Sequence, residues 1–205
     1  YLHPMMVKEI QEEGRHFGWA VDGSPADCTK LGVLEFCERE PDLIVSGINS
    51  GSNVGINVLY SGTVAAAIEG AFFGITSFAV SLAQGTPPDY DATARRAGRL
   101  IERILHRVPE PGRLWTINFP DTTPDGPKGV KFAPMGVQRH TDTVEKRLDP
   151  RGRPYYWSGL DPIELHQMQA ETDVRDLAEG YVTVTPLHFD LTETELLARC
   201  RQWDW

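Results

Sequence analysis

Positive charge is scarce in this chain: 20 Lys and Arg stand against 29 Asp and Glu in 205 residues, a formal net charge of −9. No basic stretch is available to neutralise a run of phosphates, which argues against duplex nucleic acid or an anionic membrane as partner. A small phosphorylated ligand, held locally, remains compatible. Cysteine is scarce too. Cys28, Cys37 and Cys200 are odd in number and lack paired ligand spacing, so they read as buried, reduced thiols. The six His, at 3, 16, 106, 140, 166 and 188, form no HxxxH or HxH pattern, which argues against zinc. No run of about 18 apolar residues and no signal-like apolar segment occurs, so the expected location is the cytoplasm, any targeting signal lying outside these residues. The P-loop pattern GxxxxGK[ST] is missing as well.

The most informative stretch that is present is 41–74, PDLIVSGINSGSNVGINVLYSGTVAAAIEGAFFG. Residues 43–45 form a short apolar run, expected to be a strand that a parallel sheet buries on both faces and that stops at Ser46. The following polar loop carries Gly47, Gly51 and Gly55 among Ser46, Asn49, Ser50, Ser52 and Asn53. Glycine lets a ligand approach the main chain, and neutral oxygens and amides suit a hard cation or a phosphate. Ser61 then stands as N-cap, Gly62 leaves the first turn uncrowded and Thr63 adds a hydroxyl. A helix start offers unpaired N–H groups and a partial positive charge to an anion. Each feature alone also fits plain turns and a plain capped core helix. Side by side after one strand, they favour a site at the carboxyl end of a sheet.

Punctuation and periodicity supply the rest. Residues 19–21 read as a short strand; Ser24, Pro25 and Asp27 start a helix with Leu31, Leu34 and Cys37 on one face. Residues 78–82 (FAVSL) and 114–119 (LWTINF) read as buried strands, with 91–108 between them a helix whose inner face is Ala94, Ala97, Ile101, Ile104, Leu105 and Val108. The alternation of strand and helix predicts an α/β fold, a three-layer Rossmann-like, mostly parallel sheet. Beyond it, Asp149-Pro150-Arg151-Gly152 predicts the turn of a β-hairpin over about 139–158, with Tyr155, Tyr156 and Trp157 unable to face one side together. Arg139, His140, Lys146, Arg147, Arg151 and Arg153 read most simply as its solvated charges. A helix at 172–178, a strand at 181–186 and a final helix capped by Thr192 with Glu195 complete the chain. The expected division is 1–126 as core and 127–205 as hairpin, closing strand and C-terminal extension. Three polar residues have plain readings: Asp27 as a helix-start carboxylate, Glu69 as a side chain needing a partner if buried, and His188 as a surface or interface residue.

Several motifs in order resemble the SurE survival proteins. They are Gly23-Ser24-Pro25-Ala26-Asp27-Cys28; Ser46-Gly47-Ile48-Asn49 with Gly51, Asn53 and Gly55; Tyr60-Ser61-Gly62-Thr63 with Glu69 and Gly70; and the GYVTVTPL segment at 180–187. The resemblance is collinear from about Leu2 to Thr192. It implies a metal-dependent phosphomonoesterase acting on nucleoside 5'- or 3'-monophosphates, with short polyphosphates also accepted. Asn49 would be a ligand of Mg²⁺ or Mn²⁺; Ser61, Gly62 and Thr63 would hold the phosphate, with Gly51, Asn53 and Gly55 shaping the cradle. Asn49, Ser61 and Thr63 are thereby the implied catalytic set. The family's Asn-Asp-Asp-Gly and Arg-Ser-Gly motifs, which hold its other metal ligands, do not occur here, so those ligands are expected in an upstream segment. Family members are oligomers that exchange C-terminal elements, which implies a homodimer or homotetramer.

Two other readings stay open at this point. One is a partial, non-catalytic form that binds phosphate or only assembles. The other is a dinucleotide-binding oxidoreductase, weakened because no GxGxxG opens the helix.

Overall fold

The computed structural model describes residues 4–84, 87–121, 126–138, 142–160 and 168–203. Arg139 and His140, at the expected root of the hairpin, fall outside the described residues, as do His3 and His166.

A five-stranded sheet forms the centre, in the order β3 (Ile44–Ser50), β4 (Ser77–Leu82), β5 (Leu114–Phe119), β9 (Val182–Leu187), β6 (Val130–Phe132). The pairs β3–β4, β4–β5 and β6–β9 are parallel, and β9 runs antiparallel to β5. The crossovers are helical: α2 (Gly62–Phe72) joins β3 to β4, and α3 (Tyr90–Arg107) joins β4 to β5. Phe78, Val80 and Ile117 pack with Ala97, Ile101 and Ile104 of α3, while Ala79 and Leu114 pack with Val64, Ala67 and Ala71 of α2. Alternate residues of the same strands thus feed two separate cores, which makes the three layers. Every residue of β4 and of β5 is buried.

The edge of the sheet departs from expectation. β3 does not stop at Ser46 but continues to Ser50, with a register shift between Ser46 and Asn49 against β4. Nor is it covered on both faces, for Val45 is 48% exposed. The reason is positional, since among the described residues β3 pairs with β4 alone. Gly70 lets α2 lie close to this edge: a Cβ there would run into the Ser77 hydroxyl and sit 2.6 Å from Ile44 Cδ1.

Pro25–Leu31 is α1, with a capping box in which the Ser24 side chain accepts from the Asp27 N–H and the Asp27 carboxylate accepts from the Ser24 N–H. A π-helical turn, Gly32–Phe36, follows it and rotates the later side chains off the expected face, so Leu34 is 59% exposed. The thiols are free, but Cys28 and Cys37 are exposed rather than buried. The small cysteine side chain gave no positional signal that could separate the two cases. Glu69 is largely buried and pairs with Lys30 at 3.3 Å, the partner its place in an apolar helix required.

In α3 the N-cap is Asp89, and Thr93 takes the buried place expected of Ala94, which is exposed. Its hydroxyl donates to the Asp89 carbonyl, so a polar residue serves on the inner face. Two hairpins flank the sheet. β1 (Val7–Glu12) and β2 (Arg15–Val21) pair antiparallel around a turn at Glu13 and Gly14; only the end of β2 was legible in the sequence. β7 (Asp142–Leu148) and β8 (Pro154–Leu160) form the second, with Tyr155, Tyr156 and Trp157 all partly open to solvent. Arg147 pairs with Glu145 and Arg153 with Asp149. Near the end lie α4 (Asp173–Ala178) and α5 (Thr194–Cys200). Glu193, not Thr192, caps α5 by accepting the Leu196 N–H at 2.7 Å. The longer carboxylate reaches the first turn from one residue later, so the Thr192 capping box does not form.

Candidate active site

The sheet's parallel strands end where β3 meets the loop 51–54, the 3-10 turn Gly55–Tyr60 and the start of α2. Asn49, on the last part of β3, is partly buried. Its Nδ2 donates to the Gly51 carbonyl at 2.8 Å, which turns Oδ1 towards α2, where it accepts from the Thr63 hydroxyl at 3.2 Å. An amide oxygen has two lone pairs, so one remains for a further partner.

At the helix start, Ser61 Oγ accepts from the Val64 N–H at 3.2 Å and the Ser61 carbonyl accepts from the Ala65 N–H. The N–H groups of Gly62 and Thr63 therefore stand ahead of the first bonded turn, and Gly62 is exposed. Ser61 Oγ also carries a hydroxyl hydrogen of its own that it can donate. Asn49, Gly51, Ser61, Gly62 and Thr63 are thus brought together around one helix N-terminus, an arrangement that suits an anion. Pro25 closes one side, because a Cβ on Gly62 would lie 3.1 Å from Pro25 Cγ. A cleft of about 390 Å³ continues from there between α1 and the β3 edge, lined by Gly23, Pro25, Cys28, Ile44, Val45 and Ser46.

Asn53 and Gly55 are placed differently. Both are buried, and their polar groups face inward. The Asn53 N–H donates to Asn118 Oδ1 at 2.7 Å and its Nδ2 to Ser81 Oγ at 2.8 Å, while the Gly55 N–H donates to Asp173 Oδ2 at 2.9 Å. Both are thus bonded into the fold beneath the loop. Their partners Ser81, Asn118 and Asp173 escaped the sequence reading. The signal was available: Ser81 and Asn118 are the polar interruptions near the carboxyl ends of FAVSL and LWTINF, where α/β sheets carry their sites.

The electrostatics divide two carboxylates. The Ser24 hydroxyl, with help from the Ser24 N–H, holds the exposed Asp27 carboxyl below its ordinary range, so it stays ionised as a cap. Burial pushes the Asp173 carboxyl up, opposed by the N–H groups of Gly55, Gly136 and Val174. Among the described residues no three His, Cys, Asp or Glu side chains gather as a cation site. Asn49 contributes one neutral oxygen. By themselves the described residues do not fit a divalent cation, which prefers several hard oxygens including carboxylates.

The family model described as "Survival protein SurE" matches residues 1–142. A curated 5'-nucleotidase SurE of Rhodopirellula baltica is 49% identical over 210 residues, covering 100% of this chain and 81% of the relative. That of Pelotomaculum thermopropionicum is 44% identical, covering 97% of this chain and 76% of its own length. In three dimensions the chain is similar to the crystal structure of the SurE protein from Aquifex aeolicus, with a TM-score of 0.81 and 32% identity over 98% of this chain and 80% of that one. Sequence motifs, fold and relatives agree, and the chain belongs to the SurE family.

Proposed function

We propose that this chain is a 5'-nucleotidase, a phosphomonoesterase that cleaves phosphate from nucleoside 5'- or 3'-monophosphates and accepts short polyphosphates. The observation that carries the reading is the convergence of Asn49 with the free N–H groups and hydroxyls of Ser61, Gly62 and Thr63 at one helix start. The N–H groups of Gly62 and Thr63 and the Ser61 hydroxyl hold phosphate oxygens in fixed positions. Such pre-set donors stabilise the charge that builds on phosphorus-bound oxygens during transfer, and they do so without reorganising. Gly51, Asn53 and Gly55 set the height of the cradle. The reaction belongs to the metal-dependent class, and Mg²⁺ or Mn²⁺ is the cofactor. Bound, such an ion neutralises phosphate charge and acidifies water. Asn49 Oδ1 is the ligand this chain offers it, and the carboxylates such an ion requires come from outside the described residues. Family membership favours this class over the dinucleotide-binding oxidoreductase.

A core of 1–126 and an extension of 127–205 divide the work between chemistry and assembly. The partner is a second copy, in a homodimer or homotetramer. Two surfaces support this. An apolar groove of about 800 Å³ runs along α2, lined by Leu59, Ile68, Phe72, Trp115, Met135 and Leu187. Trp115 Nε1, buried beside it, has no acceptor among the described residues. α5 meanwhile has no buried residue and exposes Leu196 and Leu197. No helix among the described residues is long and apolar enough to cross a membrane. The cytoplasm is the proposed location.

A direct test is phosphate release from nucleoside 5'-monophosphates by the protein as its own gene encodes it, with Mn²⁺ or Mg²⁺ added and then chelated. Release that survives chelation, or hydrolysis of phosphodiesters with no release from the monoesters, would overturn the reading. The second reading, a phosphate-binding form without turnover, keeps one observation in its favour: among the described residues no three His, Cys, Asp or Glu side chains gather as a cation site.

A further inference from the structure

Residues 53–55 lead into the 3-10 turn and then into the start of α2, so wherever they are fixed, the phosphate donors follow. Two side chains from distant parts of the sequence fix them. Asn118, near the carboxyl end of β5 and 1% exposed, makes a reciprocal pair with the Asn53 main chain. It accepts the Asn53 N–H at 2.7 Å and donates Nδ2 to the Asn53 carbonyl at 3.2 Å. Sixty-five residues separate the two in sequence.

Two residues further on, Asp173 takes over. It is 0% exposed and divides its carboxylate. Oδ2 accepts the Gly55 N–H at 2.9 Å, and Oδ1 accepts the N–H groups of Gly136 and Val174, each at 2.8 Å. The seat is tight: a Cβ on Gly55 would come within 2.8 Å of Val174 Cγ2 and 2.9 Å of the Gly136 carbonyl oxygen. Gly55 also has φ of 59°, which glycine accepts without the strain of a side chain. A carboxylate buried without a cationic partner among the described residues is costly unless backbone donors surround it, and only one of its three donors, the Val174 N–H, belongs to the first turn of α4. The other two donors belong to the site loop at Gly55 and to the segment after β6 at Gly136.

We propose that Asn118 and Asp173 are positioning residues for the phosphate site, a two-point clamp that holds residues 53–55 and thereby aims the Gly62 and Thr63 N–H groups. The inference rests on the phosphate-site reading above. It adds that the loop's attitude is set by β5 and by a carboxylate more than a hundred residues downstream. Neither residue touches the ligand.

The test uses the whole chain labelled with ¹⁵N and titrated with orthophosphate, with no metal added, following the amide signals of Gly62 and Thr63. Asp173→Asn keeps the shape and replaces one acceptor by a donor; Asn118→Ala removes the other clamp point and serves if the first variant does not fold. Ile101→Val, on the inner face of α3 against the sheet, lowers stability without touching the loop. Each clamp variant should exchange its loop amide, Gly55 or Asn53, at least tenfold faster and bind orthophosphate about fivefold or more weakly, since small misplacements of donors are amplified in a preorganised site. Ile101→Val should bind as the unaltered chain does. Faster loop exchange with orthophosphate affinity within twofold in both clamp variants would overturn the positioning role and leave the site reading standing. If the unaltered chain gives no response at Gly62 and Thr63, the site reading fails and the clamp falls with it.

Discussion

Thr63 donates its hydroxyl hydrogen to Asn49 Oδ1 at 3.2 Å, tying the end of β3 to the first turn of α2. The strand thus presents an amide oxygen and the helix presents its free N–H groups to the same space. Replacing Asn49 by Ala removes the oxygen and two partly buried hydrogen bonds, to the Gly51 carbonyl and from the Thr63 hydroxyl, and leaves the packed core untouched, so the fold should survive. In the protein as its own gene encodes it, turnover of nucleoside monophosphate at limiting Mn²⁺ should fall by about 10²-fold, the scale on which single charge-stabilising groups act. Unchanged activity at limiting Mn²⁺ would remove Asn49 from the ligand set.

The 205 residues produced alone should hydrolyse nucleoside monophosphates at least about 10²-fold more slowly than the Rhodopirellula baltica relative, of which they cover 81%. One neutral oxygen is a poor ligand set for a divalent cation in water. Matched rates across a Mn²⁺ titration would mean that a complete cation site forms within these residues.

Asp173 makes stability depend on pH in a stated direction. Its carboxyl is raised above the ordinary 3.8 by burial, and the opposing contributions are backbone N–H groups, not charges. A raised folded-state value means that the folded protein binds the proton more tightly, so this contribution is fully present below the unfolded pKa. It is lost as pH rises through the folded one. The unfolding free energy of the unaltered chain minus that of Asp173→Asn should therefore decline from about pH 4 upward and then level off. Urea denaturation at several pH values measures it, and a difference that grows with pH contradicts the assignment.

Gly70 is where α2 touches the sheet. A methyl there meets the Ser77 hydroxyl and the Ile44 side chain, both on packed strands that cannot retreat far. Gly70→Ala should cost about 1–3 kcal/mol of stability despite the better helix propensity of alanine. A thermal midpoint equal to or above that of the unaltered chain would show that α2 can shift outward.

Assembly should depend on the apolar side chains that this chain leaves open at its C-terminal end. Leu196→Asp with Leu197→Asp places charges on α5 without touching the sheet, and light scattering should then report monomers where the unaltered protein is a dimer or larger. An unchanged oligomer would locate the contact elsewhere, with the β7–β8 hairpin the next segment to delete.

Elements whose signals are local could be read directly from the residues. FAVSL and LWTINF are strands because continuous apolar runs bury on both faces, α3 is a helix because its inner residues recur at helical spacing, and Ser61 and Ser24 start helices because their hydroxyls reach the first turn. The motif residues Asn49, Ser61, Gly62 and Thr63 were legible for the same reason, being clustered along one short stretch. What lies across sequence distance was set by the fold. Asn53 and Gly55 belong to the loop's support because Asn118 and Asp173 reach them through the fold, and no local pattern encodes a contact of that span. The exposure of Val45 follows from β3 pairing with β4 alone among the described residues, and that of Leu34 from a π-helical turn that shifts the face it presents. Local propensity sets which residues can form an element, while neighbours brought together by the chain's path decide which of its groups remain free to meet a ligand.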